Sequence, residues 1–195
     1  MITERDKEII EYFNRYKYAT INQLEKIFFR DAQYSYNICR RRLKELRFKG
    51  YIKVEKNLEI NKNIYMLNRD FITMPSIETI TALDVYAKLK ELDFNIVDFQ
   101  VNKSWGDSGI KSKGFFIFTV ENRRYTFFLE VNNLKKELDL EKYIKLKESG
   151  EVQKYLNRDF FPKIMVLSDI DIEGYKDLKL TKVNINLSNI AHILI

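Results

Sequence analysis

The residues of this sequence best suited to chemistry on a partner molecule lie at positions 35–50, where basic side chains repeat with helical spacing. Six Lys or Arg residues and one Glu give this stretch a net charge of +5. Cys39, Leu43 and Leu46 recur at spacings of four and three, so a helix would place them on one apolar face. Arginine can bind guanine and asparagine can bind adenine through paired hydrogen bonds, so the opposite face has groups that can read DNA bases. The side chains that we assign to that face are Tyr36, Asn37, Arg40, Arg41, Lys44 and Arg47. A solvated charged face without a partner is the alternative interpretation.

The pattern around this stretch predicts that it is the third helix of a small domain. Ser35 is a suitable N-cap, and Gly50 suits the position just after the helix because glycine adopts a positive φ without strain. Two earlier helices are indicated by capping-box patterns, which are Thr3 with Asp6 and Thr20 with Gln23.

A β-hairpin is predicted to follow this helix. Residues 51–56 and 63–67 favour strands, and turn-forming residues lie between them. Three helices followed by a two-stranded hairpin is the order of a winged helix-turn-helix domain, which we assign to residues 1–70. In such a domain the third helix enters the major groove, and we expect the hairpin to contact phosphates beside it through Lys53, Lys56 and Lys62. A protein-interaction module of the same fold is the minority alternative, because the charge is so one-sided.

The distribution of charge supports a polyanionic partner. The chain has a net charge of +6, with 16 Lys or Arg and 10 Asp or Glu in residues 1–70. Residues 71–195 contain 18 of each. The positive surplus therefore lies in the first domain, as expected if that domain binds double-stranded DNA.

Several other classes of protein are disfavoured by composition. One cysteine in 195 residues leaves no internal disulfide, which favours a reducing, cytoplasmic location. The charged N-terminus does not fit a secretory signal, and no apolar run is long enough to span a membrane. A single histidine cannot form a zinc site or triad by itself, and no Gly-rich phosphate-binding loop is present, so we expect no cofactor and no metal.

The remainder of the chain predicts a second domain over residues 76–195. A helix over residues 76–92 is followed by three strands, a polar helix interrupted at Gly150 and a further strand that follows Pro162. This order predicts a mixed α/β sheet and an α+β protein overall. The strands are rich in aromatic residues, which could stack on single-stranded bases. Their near-continuous apolar character instead favours a buried sheet.

This order of elements, with Glu130 near the end of the third strand, resembles the restriction-endonuclease-like core of PD-(D/E)-x-K nucleases. The resemblance implies a divalent metal held by two acids, with a lysine that positions the attacking water. Here the triplet reads Glu130-Val131-Asn132, and Ser112-Lys113-Gly114 stands where the earlier acid belongs. The residues that could substitute after a shift are Asp107, Lys135 and Lys142. We therefore expect a non-catalytic domain that serves as a scaffold or a dimer interface.

Three short motifs resemble the replication-relaxation family of plasmids and related mobile elements. They are Thr-Glu-Arg-Asp-Lys-Glu-Ile-Ile, Leu-Lys-Glu-Leu-x-x-x-Gly-Tyr-Ile and Phe-Phe-Leu-Glu-Val-Asn. The resemblance implies DNA binding in plasmid replication, DNA relaxation or conjugative transfer, with replication or relaxosome proteins as partners. A homodimer is expected because such modules commonly bind two half-sites.

The sequence therefore predicts a non-enzymatic, double-stranded DNA-binding protein. A transcriptional repressor that uses the same winged helix is the first alternative. A metal-dependent endonuclease that uses Glu130 is the second.

Overall fold

A computed structural model describes residues 2–69, 73–106, 108–132, 138–172, 174 and 177–194. The chain divides into two compact units, residues 1–93 and residues 94–195. Each unit contains both helices and strands, so the predicted α+β class is confirmed.

The described residues of the first unit, 2–69 and 73–93, form four helices and a two-stranded antiparallel sheet. Its elements are α1 (Glu4–Tyr16), α2 (Ile21–Phe28), α3 (Ser35–Phe48), β1 (Ile52–Asn57), β2 (Lys62–Leu67) and α4 (Ile77–Glu91). Both capping boxes are present as the sequence predicts, at Thr3 with Asp6 and at Thr20 with Gln23. Gly50 follows Lys49, the C-cap of α3, and adopts a φ of +77°, as expected for a glycine at the position after the C-cap.

The predicted N-cap of α3 is wrong. Tyr34 occupies the N-cap position in the left-handed conformation, with φ 60° and ψ 36°, and makes no side-chain capping bond. Ser35 is already the first helical residue, and its hydroxyl donates a hydrogen bond to Glu25 of α2. A long-range partner for the serine hydroxyl has therefore replaced the local capping bond that the sequence suggests.

The hairpin is held in place by Asn57 at the end of β1. Its side-chain oxygen accepts hydrogen bonds from the N–H groups of Glu59 (3.0 Å) and Ile60 (3.3 Å), which orders the connecting loop. Its amide nitrogen donates to the carbonyl of Pro75 at 3.0 Å. The loop between β1 and β2 is thus tied to the chain that enters α4.

Helix α4 belongs to the first unit. The sequence instead predicts that this helix opens the second domain, residues 76–195. Gln23 of α2 donates from Nε2 to the carbonyl of Ile80 (2.9 Å) and to Oδ1 of Asp84 (2.7 Å). Lys26 of α2 also forms an ion pair with Glu91 at 3.2 Å. The boundary therefore lies after residue 93 and not between residues 70 and 76. Pro75 breaks the local pattern, but a local break does not show on which side of it a helix packs.

The second unit is built on a five-stranded mixed sheet in the order β3-β4-β5-β6-β7. The first three strands are antiparallel, and β5, β6 and β7 are parallel. The elements are β3 (Asn95–Trp105), β4 (Ile110–Val120), β5 (Arg123–Val131), α5 (Glu141–Glu148), α6 (Glu151–Leu156), β6 (Lys163–Leu167), β7 (Leu180–Val183) and α7 (Ile190–Leu194).

Two turns set the shape of this unit. The β4–β5 connection is the two-residue turn Glu121-Asn122, in which both residues have positive φ. Such turns match the right-handed twist of the flanking strands. Gly150, at φ +70°, separates α5 from α6, so the predicted interruption is confirmed.

The core of the second unit is strongly aromatic on both faces of the sheet. On one face Trp105, Phe115 and Phe128 pack with Tyr143 of α5, whose ring centroid lies 4.9 Å from that of Phe128. On the other face the rings of Phe116, Phe118, Tyr125 and Phe127 are stacked. The sequence prediction of a buried aromatic sheet is therefore confirmed, with Tyr125 only half-buried.

Candidate nucleic-acid interface

Helix α3 has a buried apolar side and an exposed basic side. Cys39, Leu43 and Leu46 are fully buried, as predicted. We call the exposed side chains of Arg40, Arg41, Lys44 and Arg47 the basic face. Among the described residues, none of these four side chains forms an ion pair with a carboxylate. Tyr36 and Asn37 are also exposed, so all six predicted residues of the helix can reach a partner.

Arg42 is the one arginine of the run that turns inward. Its Nε donates to Oδ1 of Asp6 at 2.6 Å, and its other nitrogens bind Asp6 and Glu45. Asp6 is completely buried and also accepts the N–H of Thr3 at 2.7 Å, so the residue that caps α1 also holds α3. The Arg42 guanidinium keeps the pKa of Asp6 well below its usual range.

This ion pair is a positioning feature that the sequence analysis does not identify. The pair between Asp6 and Arg42 joins α3 to α1, and it acts together with the buried Cys39, Leu43 and Leu46 to leave the basic face outside. The sequence offers one indication of this ion pair, which is the acidic residue at the third position of α1. A capping box already explains an acidic residue at that position, so the pair is not predicted.

The hairpin is joined to the last turns of the helix that carries the basic face. The N–H of Tyr51, directly before β1, donates to the carbonyl of Leu46 of α3 at 3.0 Å. A main-chain bridge between Tyr65 and Ala19 joins β2 to the segment before α2. The hairpin and the basic face are therefore neighbours on one unit.

The three predicted hairpin lysines are not equivalent. Lys56 and Lys62 are exposed at the loop end of the hairpin. Lys53 is half-buried and forms an ion pair with Glu55 at 2.8 Å, so part of its charge is already neutralised. At the tip of the loop, Leu58 is 84% exposed.

The burial of Cys39 excludes it from this surface. Burial raises the pKa of the Cys39 thiol to about 12, so the group stays protonated and unreactive at neutral pH. This position agrees with the predicted place of Cys39 on the apolar face of the helix.

The second candidate site is centred on Glu130, near the end of β5. Glu130 is only 4% exposed, and its Oε1 accepts hydrogen bonds from Nζ of Lys142 (2.7 Å) and the hydroxyl of Tyr143 (2.6 Å). Burial, with the neighbouring carboxylate, raises the pKa of Tyr143 well above its ordinary value, so its hydroxyl remains a donor. The structure thus brings Lys142, one of the predicted substitutes for the nuclease lysine, to Glu130.

The other positions of the nuclease pattern have structural partners. Ser112, which stands where the earlier acid belongs, accepts a hydrogen bond from Nε1 of Trp105 at 3.2 Å. Asn132, which stands where the lysine belongs, donates to Oγ of Ser168 at 3.1 Å. Asp107 and Lys135 lie outside the described residues. Within the described ranges, no three His, Cys, Asp or Glu side chains are grouped so that they could hold a metal ion.

Comparison with protein-family models, with curated proteins and with solved structures gives no match for this chain. The resemblances to the replication-relaxation family and to PD-(D/E)-x-K nucleases therefore remain predictions. In the part of the chain that the structure describes, no helix has the length and apolar character needed to cross a membrane.

Proposed function

We propose that residues 1–93 form a winged helix-turn-helix module that binds double-stranded DNA. The observation that carries this proposal is the basic face of α3, whose four cations are exposed and lack carboxylate partners among the described residues. Cations that are not paired within the protein are available to phosphates, and binding releases the counterions of the DNA.

In this mode α3 enters the major groove, and the hairpin contacts the adjacent backbone. Asn37, Arg40, Arg41 and Lys44 lie nearest the base edges, and these four side chains divide between base reading and phosphate contact. Arg47 adds a further cation at the same face. Lys56 and Lys62 of the hairpin contact phosphates of the adjacent backbone. A homodimer that binds two half-sites, with the second unit as its interface, completes the proposal.

The biological setting that we propose is a plasmid or mobile element. A role in replication, DNA relaxation or conjugative transfer rests on the resemblance of the three short motifs to the replication-relaxation family. A transcriptional repressor would use the same basic face. Sequencing of DNA fragments selected by the protein separates the two roles, because a discrete site near an origin of replication or transfer supports the first.

The central test is the substitution of Arg40 and Arg41 together by Ala. The loss of two phosphate or base contacts should weaken binding to duplex DNA, and each of the two side chains that neutralises a phosphate should reduce the slope of log K against log salt concentration by about 0.9. The matched control is Lys7→Ala with Lys17→Ala, which removes two exposed charges of the same unit on and beside α1. An unchanged affinity together with an unchanged salt slope in the Arg40/Arg41 variant would exclude α3 from the interface.

A metal-dependent endonuclease is the second candidate, favoured by the amine of Lys142 beside Glu130. The test is incubation with supercoiled plasmid and Mg²⁺ or Mn²⁺. Nicking by the wild-type protein that is abolished by Glu130→Gln would support this candidate and overturn a purely DNA-binding role.

A further inference from the structure

The second unit carries a cleft that combines aromatic rings with clustered cations. The cleft has a volume of about 460 Å³ and lies at the end of the sheet where β5 and β6 begin. Among the described residues that line it, the cations are Arg124, Lys147, Lys163 and Lys179, and the acidic residue is Asp177. The second unit as a whole contains 16 Lys or Arg and 14 Asp or Glu, so basic and acidic residues nearly balance. The excess of basic over acidic residues in the cleft is therefore a local feature.

The topology of the parallel strands brings these cations together. Lys163 begins β6 and pairs in register with Phe127 of β5. The N–H of Ile164 donates to the carbonyl of Lys179 at 2.9 Å, which places the segment before β7 directly beside the start of β6. Because parallel strands begin at the same edge of a sheet, residues far apart in the sequence become neighbours here.

Most of the cations in the cleft are available to a ligand. Arg124, Lys163 and Lys179 are exposed and form no ion pair within the described part of the chain. Lys147 donates from Nζ to the main-chain carbonyl of Asp177 at 3.0 Å, a contact that leaves its charge uncompensated.

The apolar part of the cleft consists of rings that a planar ligand can stack on. Phe160 is 40% exposed, and the partly buried ring of Phe161 also lines the cleft. Exposed aromatic rings beside cations form the combination by which proteins bind single-stranded nucleic acid, with bases on the rings and phosphates on the cations.

We propose that this cleft binds a nucleotide unit, either free or within a single strand, with its base stacked on Phe160 and its phosphate held by Lys163 and Lys179. The cleft is distinct from the Glu130 cluster, because Glu130 lies near the end of β5 and the cleft lies where that strand begins. It is also independent of the proposed duplex-binding face, which belongs to the first unit.

The test uses the full chain in a background with Arg40→Ala and Arg41→Ala, so that α3 contributes little to binding. A fluorescent oligo-dT of about 12 nucleotides and a fluorescent mononucleotide are titrated separately and followed by anisotropy. Binding of the oligonucleotide alone identifies a strand as the source of the nucleotide unit, and binding of the mononucleotide identifies a free ligand. Failure of both probes to bind overturns the proposal.

The variants locate the site. Lys163→Glu with Lys179→Glu should weaken binding about tenfold or more, because phosphate contacts are lost and replaced by repulsion. The matched control, Lys111→Glu with Lys154→Glu, makes the same change of charge at two exposed lysines outside the cleft. Equal losses in both pairs would show nonspecific electrostatic attraction and overturn the proposal.

Stacking is tested with Phe160→Ala, for which we expect roughly tenfold weaker binding. The control Ile170→Ala removes another half-exposed apolar side chain of this unit and should leave binding unchanged. As a positional measurement, oligo-dT carrying 4-thiothymidine is photocrosslinked and the modified peptides are identified. Crosslinks to peptides containing Phe160 or Tyr125 support the proposal, and crosslinks confined to residues 1–93 overturn it.

Discussion

The basic face of α3 and the basic cleft of the second unit each present four cations, but they are built in different ways. The basic face comes from one continuous helix, which its buried apolar side and the ion pair between Asp6 and Arg42 hold in place. The cleft comes from four separate segments, which meet only because β5, β6 and β7 are parallel. A helix concentrates charge that is already adjacent in the sequence, whereas a sheet edge concentrates charge that is scattered along it.

The two units differ little in net charge. With the boundary after residue 93, the first unit contains 18 Lys or Arg and 14 Asp or Glu, and the second contains 16 and 14. The net charge is therefore +4 for the first unit and +2 for the second. The difference is small because residues 71–93, which include α4, contain four acidic and two basic residues. The local arrangement of cations, and not the total for each unit, distinguishes the two surfaces.

The largest expected effect is the loss of stability in Asp6→Ala. This substitution leaves the guanidinium of Arg42 mostly buried without its main partner, which should cost about 3 kcal/mol in the free energy of unfolding. Urea unfolding measures the loss, and hydrogen exchange should show it in residues 35–48 and not in the second unit. The control Asp171→Ala removes an exposed carboxylate that pairs with Lys182, and we expect no measurable change. Unaltered exchange in α3 would contradict the positioning role of Asp6.

The next effect is expected in the second unit. Glu130→Gln removes the charge that binds Lys142 and weakens the bond from Tyr143, at a cost of about 2 kcal/mol. Thermal unfolding and hydrogen exchange of β5 and α5 measure this loss, and duplex DNA binding should not change. The matched control is Glu148→Gln at an exposed position of α5. A loss of DNA affinity equal to that of the Arg40/Arg41 variant would show that the two units do not act separately.

The ion pair of Asp6 should also make the first unit sensitive to acid. The pKa of the Asp6 carboxyl is lower in the folded than in the unfolded protein. The ionised carboxylate therefore contributes fully to the free energy of unfolding above the unfolded pKa of about 4. This contribution, on the order of 1–2 kcal/mol, is lost as the pH falls below that value towards the folded pKa. Asp6→Asn should remove this part of the acid dependence, and Glu4→Gln, at an exposed position of the same helix, should retain it. Identical acid unfolding curves for wild type and Asp6→Asn would contradict the prediction.

The smallest effects should distinguish the hairpin lysines. Lys56→Ala with Lys62→Ala should weaken duplex binding about three- to tenfold, because both side chains are exposed at the loop end. Lys53→Ala should change the affinity by less than about twofold, since Glu55 already neutralises part of that charge. Anisotropy titrations at two salt concentrations measure both. Equal losses per lysine would show that Lys53 leaves Glu55 when DNA binds.

The sequence by itself determined the features that depend on neighbours within one or two helical turns. The capping boxes at Thr3 and Thr20, the apolar stripe of Cys39, Leu43 and Leu46, and the glycines that end α3 and separate α5 from α6 are all local. Periodicity and conformational preference act over such distances, so these features can be read along the chain.

Only the tertiary structure decided the features that depend on distant partners. It turned Arg42 inward to Asp6, gave the hydroxyl of Ser35 to Glu25, packed α4 against Gln23, and gathered the cations of the cleft at one sheet edge. The energy of such contacts depends on which elements pack together, and spacing along the chain does not specify that packing.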